Sequence, residues 1–131
     1  MFLVDSHCHL DRLDLIPYDG KLEGALENAR EHGVGHMLCV CINLEHLEDV
    51  LTPARQYDFV TASVGVHPND NEGEDPDTDR LVALAQDEHI VAIGTTAYPH
   101  LAGSQRRTRT TILVVTQVDH RSTGSPIKLH T

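Results

Sequence analysis

The chain of 131 residues has no tryptophan, and aromatic residues make up only 4% of it. It has no run of eighteen apolar residues, so nothing in it is expected to span a membrane. Its N-terminus carries neither a basic stretch nor a long apolar one, and the run Phe2-Leu3-Val4 is too short for a secretory leader. No Cys-x-x-Cys occurs, which removes a thioredoxin-like motif. The three cysteines, Cys8, Cys39 and Cys41, form no disulfide-like framework and suit a reducing, cytoplasmic setting. No Gly-x-Gly-x-x-Gly and no phosphate-binding loop follows any apolar run, so dinucleotide and nucleotide-triphosphate chemistry lack their cradle. Positive charge is scarce as well. The formal net charge is −10 with histidine neutral, which argues against a broad basic surface for nucleic acid. It leaves room for an enzyme whose metal ions neutralise phosphate locally.

What is present is organised around the first eleven residues. The short apolar run leads into Asp5-Ser6-His7-Cys8-His9-Leu10-Asp11. On a strand, period-two geometry places His7 and His9 on one face. Two imidazoles side by side at a strand end are a ready pair of ligands for a divalent cation. Asp5 and Asp11 lie close enough in sequence to orient an imidazole or to join the ligand set. A bare His-x-His is also common as surface decoration. Position favours ligation here, because barrels and open sheets keep their sites at the carboxyl ends of strands.

The rest of the first 94 residues alternates strand and helix. Residues 21–32 have Leu22, Ala25, Leu26 and Ala29 at helical spacing, closed by Gly33. His32, near the end of this helix, suits its dipole. Residues 34–42 are nearly all apolar, the pattern of a parallel strand covered on both faces. Asn43 is placed to cap a helix over 44–56, with Pro53 counting against its last turn. His46 has no evident partner. Residues 59–66 form a third strand that runs into His67-Pro68, so His67 sits where His7 and His9 sit, or is simply a loop histidine. Residues 69–79 are an acidic loop without the spacing of an EF-hand. Residues 79–88 read as a helix and 90–94 as a fourth strand. The order β-α-β-α-β-α-β implies a parallel sheet with right-handed crossovers.

Beyond Gly94 the composition breaks. Residues 1–94 hold 19 acidic and 5 basic side chains and 3 threonines; residues 95–131 hold 1, 5 and 8. Residues 95–103 have no clear period, and 104–110 are a polar basic run expected to be a solvated loop. Residues 111–118 are β-prone and suggest an edge strand. Residues 124–131 look like a further strand ending in His130.

The opening Phe2 to Asp11 resembles that of the TatD family of metal-dependent deoxyribonucleases, which belong to the amidohydrolase-like barrels. Ser63-Val64-Gly65-Val66-His67-Pro68 resembles the family's third-strand motif, and Val91-Ala92-Ile93-Gly94 its fourth strand. The resemblance implies an α/β fold: roughly the first half of a (β/α)₈ TIM barrel, with metals at the strand C-termini. It implies hydrolysis of DNA phosphodiesters with divalent ions, two per site, Mg, Mn or Zn. It makes His7 and His9 ligands of one ion and places His67 near the substrate phosphate. Gly124 to Thr131 resembles the fifth strand, which makes His130 a ligand of the second ion. At the family's metal-bridging glutamate this chain has Thr95, and a hydroxyl is a poor substitute for a bridging carboxylate.

Residues 95–123 carry no such resemblance. With the charge reversal, this suggests out-of-frame translation between two in-frame segments, 1–94 and 124–131. Two other functions stand beside the nuclease: a catalytically inactive fragment with residual metal binding, and a non-enzymatic half-barrel binding domain. Exposed sheet edges in half a barrel suggest self-association.

Overall fold

The computed structural model describes residues 2–67, 77–94, 96–97, 109–110 and 114–115. Four parallel strands alternate with three helices. They are β1 (Leu3–Cys8), α1 (Leu22–Glu31), β2 (Val34–Val40), α2 (Leu47–Gln56), β3 (Val60–Val64), α3 (Thr78–Leu84) and β4 (Ile90–Ile93). The sheet runs β1-β2-β3-β4, each strand parallel to its neighbour. This is the order expected when each helix returns the chain to the next position of a barrel wall. Past β4, a two-residue strand β5 (Thr96–Ala97) pairs antiparallel with β6 (Arg109–Thr110). Strand β7 (Val114–Val115) joins β4 antiparallel at the edge of the main sheet. Within the β-prone stretch, Val114–Val115 is thus an edge strand, and the basic run ends in the strand Arg109–Thr110.

The core lies between the sheet and its helices. Met37 and Cys39 of β2, and Cys41 just beyond it, are buried, while His36, Leu38 and Val40 are only half-buried. Met37, Cys39 and Cys41 share one core cluster with Leu26 of α1, Leu47, Val50 and Leu51 of α2, and Leu81 of α3. A fully buried valine or leucine contributes about 1.5–3 kcal/mol relative to exposure. Such a stripe lets α2 continue past Pro53 to Gln56: Leu47, Val50 and Leu51 precede the proline and buried Ala54 follows it. Packing on both sides offsets the interior proline's cost of about 3 kcal/mol.

Two expectations are corrected in detail. The first strand is longer than its apolar run: it continues to Cys8, with Asp5 and Cys8 paired to β2. Helix α3 stops at Leu84, and residues to 89 are turns. Strand β1 lies at the open edge of the sheet. Its Leu3 and Val4, with Phe2 before them, are exposed apolar side chains.

Candidate metal centre

Strand β1 does not keep step with β2. Asp5 pairs with Met37 and Cys8 with Cys39, so three steps along β1 are matched by two along β2. Such an irregularity re-aims the side chains that follow it. Cys8 pairs with buried Cys39 and is itself half-buried against the core. Its neighbours His7 and His9 alternate to the other side. Their rings come together with centroids 5.1 Å apart and planes at 82°.

The two histidines are held differently, His9 through its ring and His7 through its backbone. His9 Nδ1 lies 3.1 Å from the carbonyl oxygen of Val40, at the end of β2. When Nδ1 carries the proton and donates to that carbonyl, Nε2 is left with a lone pair for a cation. The His9 carbonyl in turn accepts from Arg12 N–H at 3.1 Å, in the turn Leu10–Arg12. The His7 backbone N–H donates to Asp5 Oδ1 at 3.1 Å. Asp5 therefore shapes the backbone there, a role other than the expected grip on an imidazole. Asp11 is a further departure. Its side chain is only 7% exposed, and one oxygen sits 3.5 Å from Arg12 Nε. The other, Oδ1, is buried with no hydrogen-bond partner among the described residues.

His67 follows β3, and its backbone N–H donates to Ile42 O at 2.6 Å, which ties the end of β3 to the end of β2. Just before it, Gly65 passes close against Gly94 at the end of β4. Ser63 Oγ is buried here without a hydrogen-bond partner among the described residues. His130 and Thr95 lie outside the described residues. Among the described residues, no three His, Cys, Asp or Glu side chains are grouped closely enough to hold a metal ion. The structure thus brings His7 and His9 together and does not add His67 to a three-donor group. The pair fits a divalent cation as two of its ligands, since both rings converge and one is oriented through its far nitrogen.

The thiols beneath the pair interact. A hydrogen bond between Cys8 and Cys39 pushes the Cys8 pKa well up, and burial adds to the rise. The same bond draws the Cys39 pKa down against the effect of burial. Burial pushes Cys41 up to about 11. Elsewhere, His32 Nδ1 sits 2.8 Å from the Asn28 carbonyl at the end of α1, as its dipole position suggested. His46 has a partner after all, Asp49 at 2.9 Å. His36 Nε2 lies 3.1 Å from Thr61 Oγ1 across β2 and β3. No spacing in the sequence announces that last contact, nor the Val40 carbonyl that orients His9.

Parallel β/α units, with a histidine pair at the end of the first strand, define the class: part of a β/α barrel of the metal-dependent hydrolase type. The family model described as "TatD related DNase" matches residues 4–131. The chain belongs to that family. It is 32% identical over 135 residues to a protein of Escherichia coli K12 named as an uncharacterized metal-dependent hydrolase, YcfH, covering all of this chain and 49% of that one. It is 36% identical over 78 residues to the "3'-5' ssDNA/RNA exonuclease TatD" of Cronobacter sakazakii, covering 59% of this chain and 30% of that protein. Among solved structures, YJJV, a TatD homologue from E. coli K12, superposes with a TM-score of 0.55 at 30% identity. That match covers 70% of this chain and 35% of YJJV. The chain spans about half the length of YcfH. No helix among the described residues is long and apolar enough to cross a membrane.

Proposed function

We propose that this chain supplies the first metal-binding strands of a nuclease that hydrolyses DNA phosphodiester bonds. The observation that carries the reading is the convergence of His7 and His9 at the end of β1, with His9 oriented by Val40 O. The name of the C. sakazakii relative supports a nucleic-acid substrate. In this reading His7 and His9 hold one divalent ion, Mg, Mn or Zn, and His130 contributes to a second. His67 lines the pocket beside the substrate phosphate. A bound ion would supply a hydroxide at neutral pH and offset the charge of the phosphate. The protein's own part is positioning. The Val40 carbonyl fixes one imidazole, and the Asp5 carboxylate fixes the backbone of the other. The three free cysteines support a reducing, cytoplasmic location.

A second reading is a catalytically inactive portion that retains metal binding. It is favoured by Thr95 at the bridging-glutamate position and by the lack of a third donor among the described residues. Its open β1 edge, with exposed Phe2, Leu3 and Val4, supports self-association of the isolated chain.

The test is cleavage of labelled single-stranded DNA with Mg²⁺ or Mn²⁺, alongside Zn²⁺ calorimetry. EDTA-sensitive cleavage that is lost in His7→Ala/His9→Ala supports the nuclease. Zn²⁺ binding lost in that variant, without cleavage, selects the inactive portion. A chain that neither cleaves nor binds metal would overturn both.

A further inference from the structure

Cys8 and Cys39 are registered partners on neighbouring parallel strands, and neither has a role in the proposed hydrolysis. Paired residues in adjacent strands have Cα atoms about 4.8 Å apart, and their side chains leave the sheet on the same side. That separation lies inside the range of roughly 4.4–6.8 Å that a disulfide spans. The Cys8 thiol donates to Leu38 O at 3.3 Å, on the strand that carries Cys39. Cys41 is the third thiol on this side, but it is turned to a different acceptor, Asn43 O at 2.8 Å. Burial separates the pair into two roles: Cys8 is half-buried at the open edge strand, and Cys39 is fully buried.

We infer that Cys8 and Cys39 are a reversible thiol–disulfide site, oxidised by small disulfides of the glutathione class, which bonds the edge strand β1 to β2 directly beneath His7 and His9. The steps balance as thiol–disulfide exchange. The thiol pair gives up one proton, and Cys8 Sγ, the member within reach of solvent, attacks one sulfur of the small disulfide. A mixed disulfide forms and one small thiolate leaves. Cys39 Sγ then gives up its proton and attacks the Cys8 sulfur, releasing the second small thiolate. The two protons finish on the two small thiols, the protein pair is oxidised, and the small disulfide is reduced. Access dictates the order, because only Cys8 can be reached from solvent. A small thiol in excess reverses the sequence.

The experiment uses the intact chain, reduced and desalted, then held with excess oxidised glutathione in native buffer and, separately, in concentrated urea. After alkylation and tryptic digestion without reductant, Cys8 lies in the peptide of residues 1–12, and Cys39 and Cys41 lie in that of residues 31–55. Backbone fragmentation on either side of Val40 tells Cys39 from Cys41. The expected result in native buffer is a single Cys8–Cys39 link, with the three free thiols falling to one and returning on reduction. Urea should give a mixture of pairings. Three thiols persisting in native buffer would overturn the inference, as would glutathione left on Cys8. A link from Cys41, or the urea mixture appearing without urea, would overturn it too.

Discussion

Two glycines face each other at the ends of β3 and β4, and the geometry predicts that they differ sharply in tolerance. A methyl group added at Gly65 would lie 3.1 Å from the Gly94 carbonyl carbon and 3.2 Å from its Cα and N. Carbon atoms prefer roughly 3.5–4.0 Å. The obstacle is backbone, so relief requires β4 to move away from β3. That movement loads the bond from Gly94 N–H to Val64 O, 2.7 Å long, and the Ile42–His67 tie that follows. Overpacking of this kind costs about 1–3 kcal/mol. A methyl group at Gly94 meets only Val64 O at 3.7 Å and Ser63 Oγ at 3.8 Å, ordinary contacts. Neither glycine has a positive φ, so alanine brings no backbone strain at either site. Both substitutions also gain about 0.4–1 kcal/mol by restricting the unfolded chain, which cancels in their difference. Gly65→Ala should therefore be less stable than Gly94→Ala by about 2 kcal/mol, or roughly 1 M in urea midpoint. Urea unfolding followed by circular dichroism measures it. Equal midpoints, or a lower one for Gly94→Ala, would show that the two strand ends do not approach in this way.

The other expectations concern single contacts. Burial raises the Asp87 pKa, but the His89 N–H and the Arg55 guanidinium outweigh it, and the net shift is downward. Its contribution is therefore present above the ordinary carboxylate range and lost as pH falls through the depressed value. Asp87→Asn keeps the acceptor for His89 N–H and removes the charge facing Arg55, 3.0 Å away. It should cost about 0.2–1 kcal/mol at neutral pH, a gap that closes in acid, as thermal melts across pH would show. Val50, 1% exposed in α2, should lose about 2–3 kcal/mol on truncation to alanine in urea titrations. Asp77 caps α3 by accepting from Arg80 N–H at 2.8 Å, and Asp77→Ala should cost about 1 kcal/mol by the same measurement.

The sequence by itself determined the alternation of strand and helix over residues 1–94. Continuous apolar runs such as 34–42 and helical stripes such as Leu22 to Ala29 are local patterns, and a parallel sheet follows once helices separate the strands. The pairing of His7 with His9 was legible for the same reason, since residues two apart on a strand share a face. Only the tertiary structure decided which face. The extra residue of β1 between Asp5 and Cys8 is a mismatch with β2, and no property of β1 alone reveals it. The same holds for the Val40 carbonyl against His9 and for Cys8 opposite Cys39, contacts across 31 residues of chain that exist only once the strands are in register. Proline 53 shows the reverse conflict: its local cost argued against the end of α2, and buried side chains on both sides of it overrode that cost.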